Sequence, residues 1–445
     1  MARKKRNPKC PSRLIIAAVL FVLLCAVDIA AAEMAPVYDV ITVNSAITPP
    51  VAEYVIKSID EAARTGAGGI VIQLDTPGGL DLAMRDIIKA ILNARVPVIV
   101  FVYPSGARAA SAGALITISA NIAAMAPGTN IGAAHPVGIG LGKMDETMVK
   151  KVENDAAAYA RGIALKRGRN VDWIERAVRK SESITAEEAL RLRVIDYLAS
   201  DVKSLLAAME GREVTLESGK VRLRTKGVLL NEKKMGFRER ILITISDPNI
   251  AYLLMLVGLA GLYFEFSHPG AIFPGVVGGI SLILAFLALQ TLPVNYAGVL
   301  LIILAVILFI AEIKVVSHGV LTIGGIISLI LGSLILYEST DPALRVSFSV
   351  MIPALTVISL FFIGVITLAL KAQLRKPVTG GEGMIGKRGV TVTAVHREGK
   401  VLIDGEYWNA TSDEPIPEGQ TVTVMALRGL SLVIENVQNQ KGGSS

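Results

Sequence analysis

Between Ile250 and Lys371 the chain runs through apolar stretches broken only by short turns, and this block constrains the fold more than any other feature. Five stretches follow one another, near residues 250–266, 271–291, 296–313, 319–337 and 349–370. A helix needs about 20 apolar residues to cross a bilayer, and it satisfies its own backbone polar groups on the way. The stretches lie at or just under that length, so residues 236–372 are expected to form a transmembrane region of about five helices. Glu265 and Glu312 fall near span ends and read as interfacial.

The N-terminus carries a second apolar run. Basic MARKKRNPKCPSR, apolar LIIAAVLFVLLCAV and then Ala30, Ala31 and Ala32 follow the order of a Sec-type signal peptide over residues 1–32. An uncleaved signal anchor would translocate the following domain equally. Cys25 lies inside the apolar run with no small residue before it, which argues against a lipoprotein. Removing residues 1–32 takes away six basic residues and one acid, so the formal charge falls from +7 to +2. The basic balance is therefore a targeting feature and gives no case for nucleic acid. Cys10 and Cys25 leave with the same segment, excluding disulfide, thiol and cysteine–metal chemistry from the mature chain. The four histidines are scattered, which leaves no histidine-rich metal site.

Residues 33–235 read as an α/β domain. The β-rich runs VYDVITV, GGIVIQL, VPVIVFV and IAAM alternate with helix-length segments, the pattern of a largely parallel sheet. A further helix is expected from Met144 to Lys166, ending at Gly168, and a short one in TAEEALRLRV. Residues 383–438 return to short strands cut by glycines and are expected to close a small β-barrel of OB type, with residues 439–445 a disordered tail. An odd number of spans and the basic KAQLRK after the last one place that barrel in the cytoplasm and the α/β domain outside it. The barrel offers only Tyr407 and Trp408 for stacking and no basic stripe, which favours protein contact over nucleic acid. The Asn409-Ala410-Thr411 sequon is incidental on that side of a membrane.

Three features of the α/β domain carry chemistry. Asp75-Thr76-Pro77-Gly78-Gly79 follows the strand GGIVIQL, and glycines there let a backbone N–H face a ligand with no Cβ in the way. Such a donor stabilises the oxyanion of acyl transfer. Ala109-Ala110-Ser111-Ala112-Gly113 follows VPVIVFVY, and Ser111 at a helix start is either a nucleophile or a capping serine. The N–H of Ala112 would complete an oxyanion hole. Ser105, in the preceding turn, and Ser119, inside the helix, are poorer candidates. A serine also needs a base. His135, Lys150 and Lys151 all qualify; the expected apolar stripe Val149, Val152, Ala156, Tyr159 and Ile163 leaves both lysines off the core face and does not choose between them. Lys151 with Asp155 also fits an ordinary i,i+4 ion pair.

Taken together, DTPGG, ASAGALITISANIAAMAPGTNIGAAHP, KVENDAAAYARGIALKRGRN and ITAEEALRLRVID resemble the NfeD-type membrane-bound serine proteases, relatives of signal peptide peptidase A and of ClpP. DPNIAYLLMLVGLAGLYFEFSHPGAIFPG and GVLTIGGIISLILGS extend the resemblance through the membrane region. It implies a ClpP/crotonase-like domain with a Ser–Lys dyad: Ser111 as nucleophile, Lys151 as general base, Gly78 or preferably Gly79 with Ala112 around the oxyanion, and no cofactor. His135 occupies the region of the ClpP triad histidine and is the alternative base. Apolar peptide substrates, a stomatin- or prohibitin-like partner and a homodimer or higher homo-oligomer in the cell membrane are implied as well.

Overall fold

The computed structural model describes residues 35–136, 146–268, 270, 272–315, 317, 319–337, 344–373 and 381–437. The expected signal peptide, Met144 and the tail 439–445 lie outside them.

The N-terminal domain opens with β1 (Val37–Val43), α1 (Pro49–Thr65), β2 (Gly69–Leu74), α2 (Asp81–Leu92), β3 (Val98–Val102) and β4 (Arg108–Ala110). There follow α3 (Ala112–Ser119), β5 (Ile122–Met125), β6 (Asn130–Gly132), α4 (Glu146–Arg167), α5 (Val171–Lys180) and β7 (Ser183–Thr185). It ends with α6 (Ala186–Arg191), β8 (Tyr197–Leu198), α7 (Val202–Ala208), β9 (Glu213–Leu216), β10 (Gly219–Arg222) and β11 (Leu229–Glu232). Six strands form one sheet in the order β11-β1-β2-β3-β5-β8, and every pairing in it is parallel. A sheet covered on both faces needs strands that are apolar throughout, which is why GIVIQL and VIVFV run as continuous apolar segments. Ile70, Ile72, Val98 and Val100 face one core with α1–α5, while Val71, Ile99 and Phe101 face the other with α7. A small second sheet, β4-β6-β7, stands beside the main one and borders the site described below.

Local rules set the helix ends. Proline opens α1 and Gly66 at φ 70° closes it, its N–H reaching back to the carbonyls of Ala62 and Ala63. Thr185 and Glu188 form a reciprocal capping box at α6.

The apolar stripe expected along α4 holds at Ala156, Tyr159 and Ile163, which are buried in the core or packed against it, and fails at Val149 and Val152. The buried face of α4 is Ala157, Ala160, Ile163 and Ala164, whereas Val149 and Val152 are each 39 % exposed. The C-terminal part of α4 packs in the core against α3 and α5; the N-terminal turns run past the core edge, so apolar residues there have no core to enter.

The membrane region follows a short helix α8 (Phe237–Ile245) and comprises α9 (Pro248–Ser267), α10 (Ile272–Leu289), α11 (Tyr296–Lys314), α12 (Val320–Ile335) and α13 (Phe348–Gln373). All five expected apolar helices are present. Among the described residues, α9, α10 and Phe348–Leu368 of α13 are long and apolar enough to cross a membrane. The apolar parts of the other two, Tyr296–Glu312 and Val320–Ile335, are shorter. At 1.5 Å per residue α12 spans about 24 Å, short of a hydrocarbon core of about 30 Å. Small residues set the packing of α9 on α10: a Cβ at Gly261 would come within 2.5 Å of the Pro274 carbonyl oxygen.

The C-terminal unit holds α14 (Gly381–Met384), β12 (Arg388–Thr391), β13 (Gly399–Ile403), β14 (Glu406–Thr411), β15 (Thr421–Arg428) and β16 (Ser431–Asn436). The strands close a barrel in the order β12-β13-β14-β16-β15 around Val401, Ile403, Val422, Val424, Leu432 and Ile434, as the alternating pattern predicts.

Candidate active site

Ser111 is the single residue between β4 and α3, and its backbone sits at φ 52°, ψ −116°. Residues with a Cβ enter that region only at a cost of order 1–3 kcal/mol, so the surroundings must impose it. They do so through its own peptide: the Ser111 N–H donates to the Gly132 carbonyl at 2.9 Å, and its carbonyl accepts from the Ala114 N–H at 3.0 Å. Ser111 occupies the N-cap position of α3, yet its side chain makes no capping hydrogen bond. The bland reading of this serine as a helix cap is therefore excluded.

The turn Asp75–Gly79 is strapped alongside. Thr76 forms a parallel bridge with Ala109, donating to the Arg108 carbonyl at 2.8 Å and accepting from the Ala110 N–H at 3.1 Å. Asp75 Oδ1 accepts from the Arg108 N–H at 3.0 Å. The sequence reading valued this motif for its glycines; its Asp and Thr are what tie it to the serine turn.

The two glycines then part company. The Gly78 N–H donates to Thr76 Oγ1 at 3.2 Å and is spent inside the turn. Neither the Gly79 N–H nor the Ala112 N–H has an acceptor among the described residues, and both residues line the same cleft as Ser111. Only glycine fits at position 79, because a Cβ there would lie 2.3 Å from the Ile47 carbonyl oxygen.

That cleft has a volume of about 540 Å³, enough for several peptide side chains, and α4 forms one wall. Met148, Lys151, Val152 and Asp155 line it; Lys150 does not. Positions three and four apart share a helix face, so the geometry separates the two lysines that periodicity left equal. The alternative of a Lys151–Asp155 ion pair is not what forms: Asp155 binds Arg85 at 2.7 Å instead. Lys151 has no ion pair among the described residues. Arg85 also binds Asp81 at 2.8 Å and lies 4.4 Å from the Tyr159 ring centroid, so one guanidinium ties α2 to α4.

His135 is set differently. Its neighbours Ala134 and Pro136 line the cleft, but His135 does not. Its Nδ1 lies 2.9 Å from the Val178 carbonyl, which as an acceptor requires the proton on Nδ1. A backbone carbonyl stands where a triad would carry a carboxylate.

The Asp81–Arg85–Asp155 clamp escaped the sequence reading, as did Arg167 and Arg169, which donate to the Ser119, Ile118 and Ala120 carbonyls at the C-terminal end of α3. Asp81 and Arg85 stand at ordinary i,i+4 spacing, but nothing marks the pairing of Arg85 with Asp155 or of Arg169 with Asp196, which join elements far apart in the chain. Among the described residues no three His, Cys, Asp or Glu side chains are grouped as metal ligands would be.

Comparison with known proteins covers all three parts. Residues 37–218 match the NfeD1b N-terminal domain, 249–368 the NfeD integral membrane domain, and 381–435 the NfeD-like C-terminal, partner-binding domain. The membrane-bound protease PH1510 of Pyrococcus horikoshii is 35 % identical over 395 residues, spanning 86 % of this chain and 89 % of that one. The membrane protein NfeD1b of Bacillus subtilis is 27 % identical over 441 residues, covering 92 % and 94 % of the two chains. Among solved structures, a lysine-to-alanine variant of the 1510-N membrane-bound stomatin-specific protease, in complex with a substrate peptide, is 32 % identical. It covers 48 % of this chain and 98 % of its own, with a TM-score of 0.45. By its extended match to PH1510 and its three domain matches, the chain belongs to the NfeD family of membrane-bound proteases.

Proposed function

We propose that the chain is a serine endopeptidase that cuts apolar segments of membrane-associated proteins through a Ser111–Lys151 dyad. One observation carries this: an uncapped serine on a strained turn shares a cleft with a lysine and two backbone N–H groups that have no partner among the described residues. Ser111 Oγ attacks the scissile carbonyl carbon while its proton passes to the uncharged amine of Lys151. The carbonyl oxygen becomes an oxyanion that accepts from the Gly79 and Ala112 N–H groups. Lys151 then returns the proton to the leaving nitrogen, the C–N bond breaks, and an acyl-enzyme remains on Ser111. Water, deprotonated by Lys151, attacks that ester; the bond from the acyl carbon to Ser111 Oγ breaks, Lys151 returns the proton to Oγ, and the second product leaves as the acid.

Substrate apolarity follows from Leu80, Met84, Leu115 and Val152 along the cleft. A stomatin-like protein is the natural candidate substrate or partner, since PH1510's solved domain is described as stomatin-specific. The expected topology puts the cleft outside the cytoplasm and the barrel inside.

The test uses the full chain in lipid nanodiscs with a library of apolar peptides. Wild type should cleave and should be labelled on Ser111 by a serine-reactive phosphonate; Ser111→Ala should do neither. Equal cleavage by Ser111→Ala, or persistent cleavage by Lys151→Ala with loss in His135→Ala, would refute the dyad.

A further inference from the structure

One wall of the cleft does not come from the α/β domain. Leu344, in the turn just before α13, lines it together with Ser111, Met84 and Lys151. Leu344 is only 3 % exposed. It also lines a second hollow of about 310 Å³, whose other walls include Ala46, Ile243, Asp247 and Pro248 at the head of α9. The Leu344 side chain therefore stands as a partition: the substrate cleft lies on one side and a smaller space beside the first membrane helix on the other. The turn that carries it is fixed from the membrane side. The Ser347 N–H donates to Asn249 Oδ1, in the first turn of α9, at 2.8 Å, and Val346 is buried beside it.

We infer that Leu344 determines specificity for the proposed peptide cleavage, setting from the membrane region how large an apolar side chain the cleft accepts. This rests on the reading of the cleft as a peptide site. A rigid apolar wall discriminates by size, because a side chain one or two carbons too long must displace packed atoms. With Leu344 in place the cleft ends at its side chain, and Val- or Leu-sized groups fill the remaining space. Shortening it to alanine joins the cleft to the second hollow and leaves room for Phe or Trp. Substrate choice is thereby tied to the ends of the membrane helices: any movement of α9 against α13 moves the wall.

The experiment measures peptide binding in nanodiscs to the full chain carrying Ser111→Ala, which separates recognition from turnover. Fluorescent peptides differ at one position only, carrying Ala, Val, Leu, Phe or Trp. The Leu344 parent should favour Val or Leu. Leu344→Ala should shift the Phe-to-Val affinity ratio by roughly 10-fold towards Phe, and Leu344→Phe should shift the optimum towards Ala. Leu344→Met, close in volume, keeps the parental order and, with unchanged melting temperature, controls for folding. The same order of preference in every variant overturns the inference, as does failure of any peptide to bind. Loss of cleavage by the Ser111 parent, with the size order still moving with Leu344, would sink the protease reading and leave the partition standing.

Discussion

Nη2 of Arg169 lies 2.9 Å from Oδ2 of Asp196, and this pair locks the far end of the helix that begins after Ser111. Arg169 is 7 % exposed and donates from Nε to the Ile118 carbonyl at 2.9 Å, from Nη2 to Ala120 at 3.0 Å and from Nη1 to Val194 at 3.1 Å. Arg167 adds a bond from Nε to the Ser119 carbonyl at 2.6 Å. Two cations thus satisfy the carbonyls that α3 leaves open at its C-terminus, where the helix dipole favours positive charge. Arg169→Met leaves Asp196 and three carbonyls short of a donor. The expected cost is about 3 kcal/mol or more, as for other broken buried pairs, read by chemical denaturation. A loss under 1 kcal/mol would show that the network is incidental.

The strain at Ser111 yields the opposite kind of prediction. Glycine adopts φ 52°, ψ −116° without a Cβ penalty, so Ser111→Gly should abolish cleavage and raise stability together. A gain near 1 kcal/mol corresponds to roughly 2–4 °C in melting temperature for a domain of this size. Ser111→Ala, which keeps the Cβ, should lose activity without that gain. Equal melting temperatures for the Gly and Ala variants would mean that the turn carries no strain.

These two sites show what the sequence could and could not announce. Continuous apolar runs mark the parallel strands, whereas Gly78 and Gly79 fit a plain strand-to-helix turn equally well, and only the family resemblance preferred Gly79. The choice between Lys150 and Lys151 was not legible from the apolar stripe. That stripe assumed a core beneath all of α4, and Val149 and Val152 have none. Leu344 was hidden more deeply, since an apolar residue beside a membrane helix looks like any other until the turn is seen against the cleft. Arg169 sat within a quoted motif, but its charge gave no hint that it would be buried.

The clamp on α4 separates positioning from chemistry. Lys151→Ala should lower single-turnover cleavage by roughly 10²–10⁴-fold, the range for a lost general base. Lys150→Ala, one position round the helix and off the cleft, should change it less than 2-fold by the same criterion. Arg85→Gln breaks the bonds to Asp81 and Asp155 and leaves Lys151 chemically intact. It should cost about 10-fold in kcat, as expected for small misplacement of a reacting group, and Arg85→Lys should recover part of that loss. Full activity in Arg85→Gln would mean that the N-terminal turns of α4 are held by other contacts.

Acid stability has a specific reporter in Glu210. Its carboxylate accepts from the Thr225 N–H at 2.5 Å, the Thr225 hydroxyl at 2.9 Å and the Lys226 N–H at 2.7 Å, pinning the turn that leads into β11. The Thr225 N–H, then its hydroxyl, hold the Glu210 carboxyl below the usual glutamate range. A carboxyl whose pKa is lower folded than unfolded contributes its stability above the unfolded value of about 4.3 and loses it as pH falls through the folded value. Wild type should therefore lose stability below about pH 4.3 more steeply than Glu210→Gln, whose amide accepts similar bonds but does not titrate. The two melting curves should lie farthest apart near pH 7 and converge as the acid limb is descended. Hydrogen exchange at the Thr225 and Lys226 amides gives a local check, with protection in wild type falling over the same interval. Parallel pH profiles for the two proteins would show that the turn is held by packing of Thr225, which is buried in its own right, and that the carboxylate adds nothing.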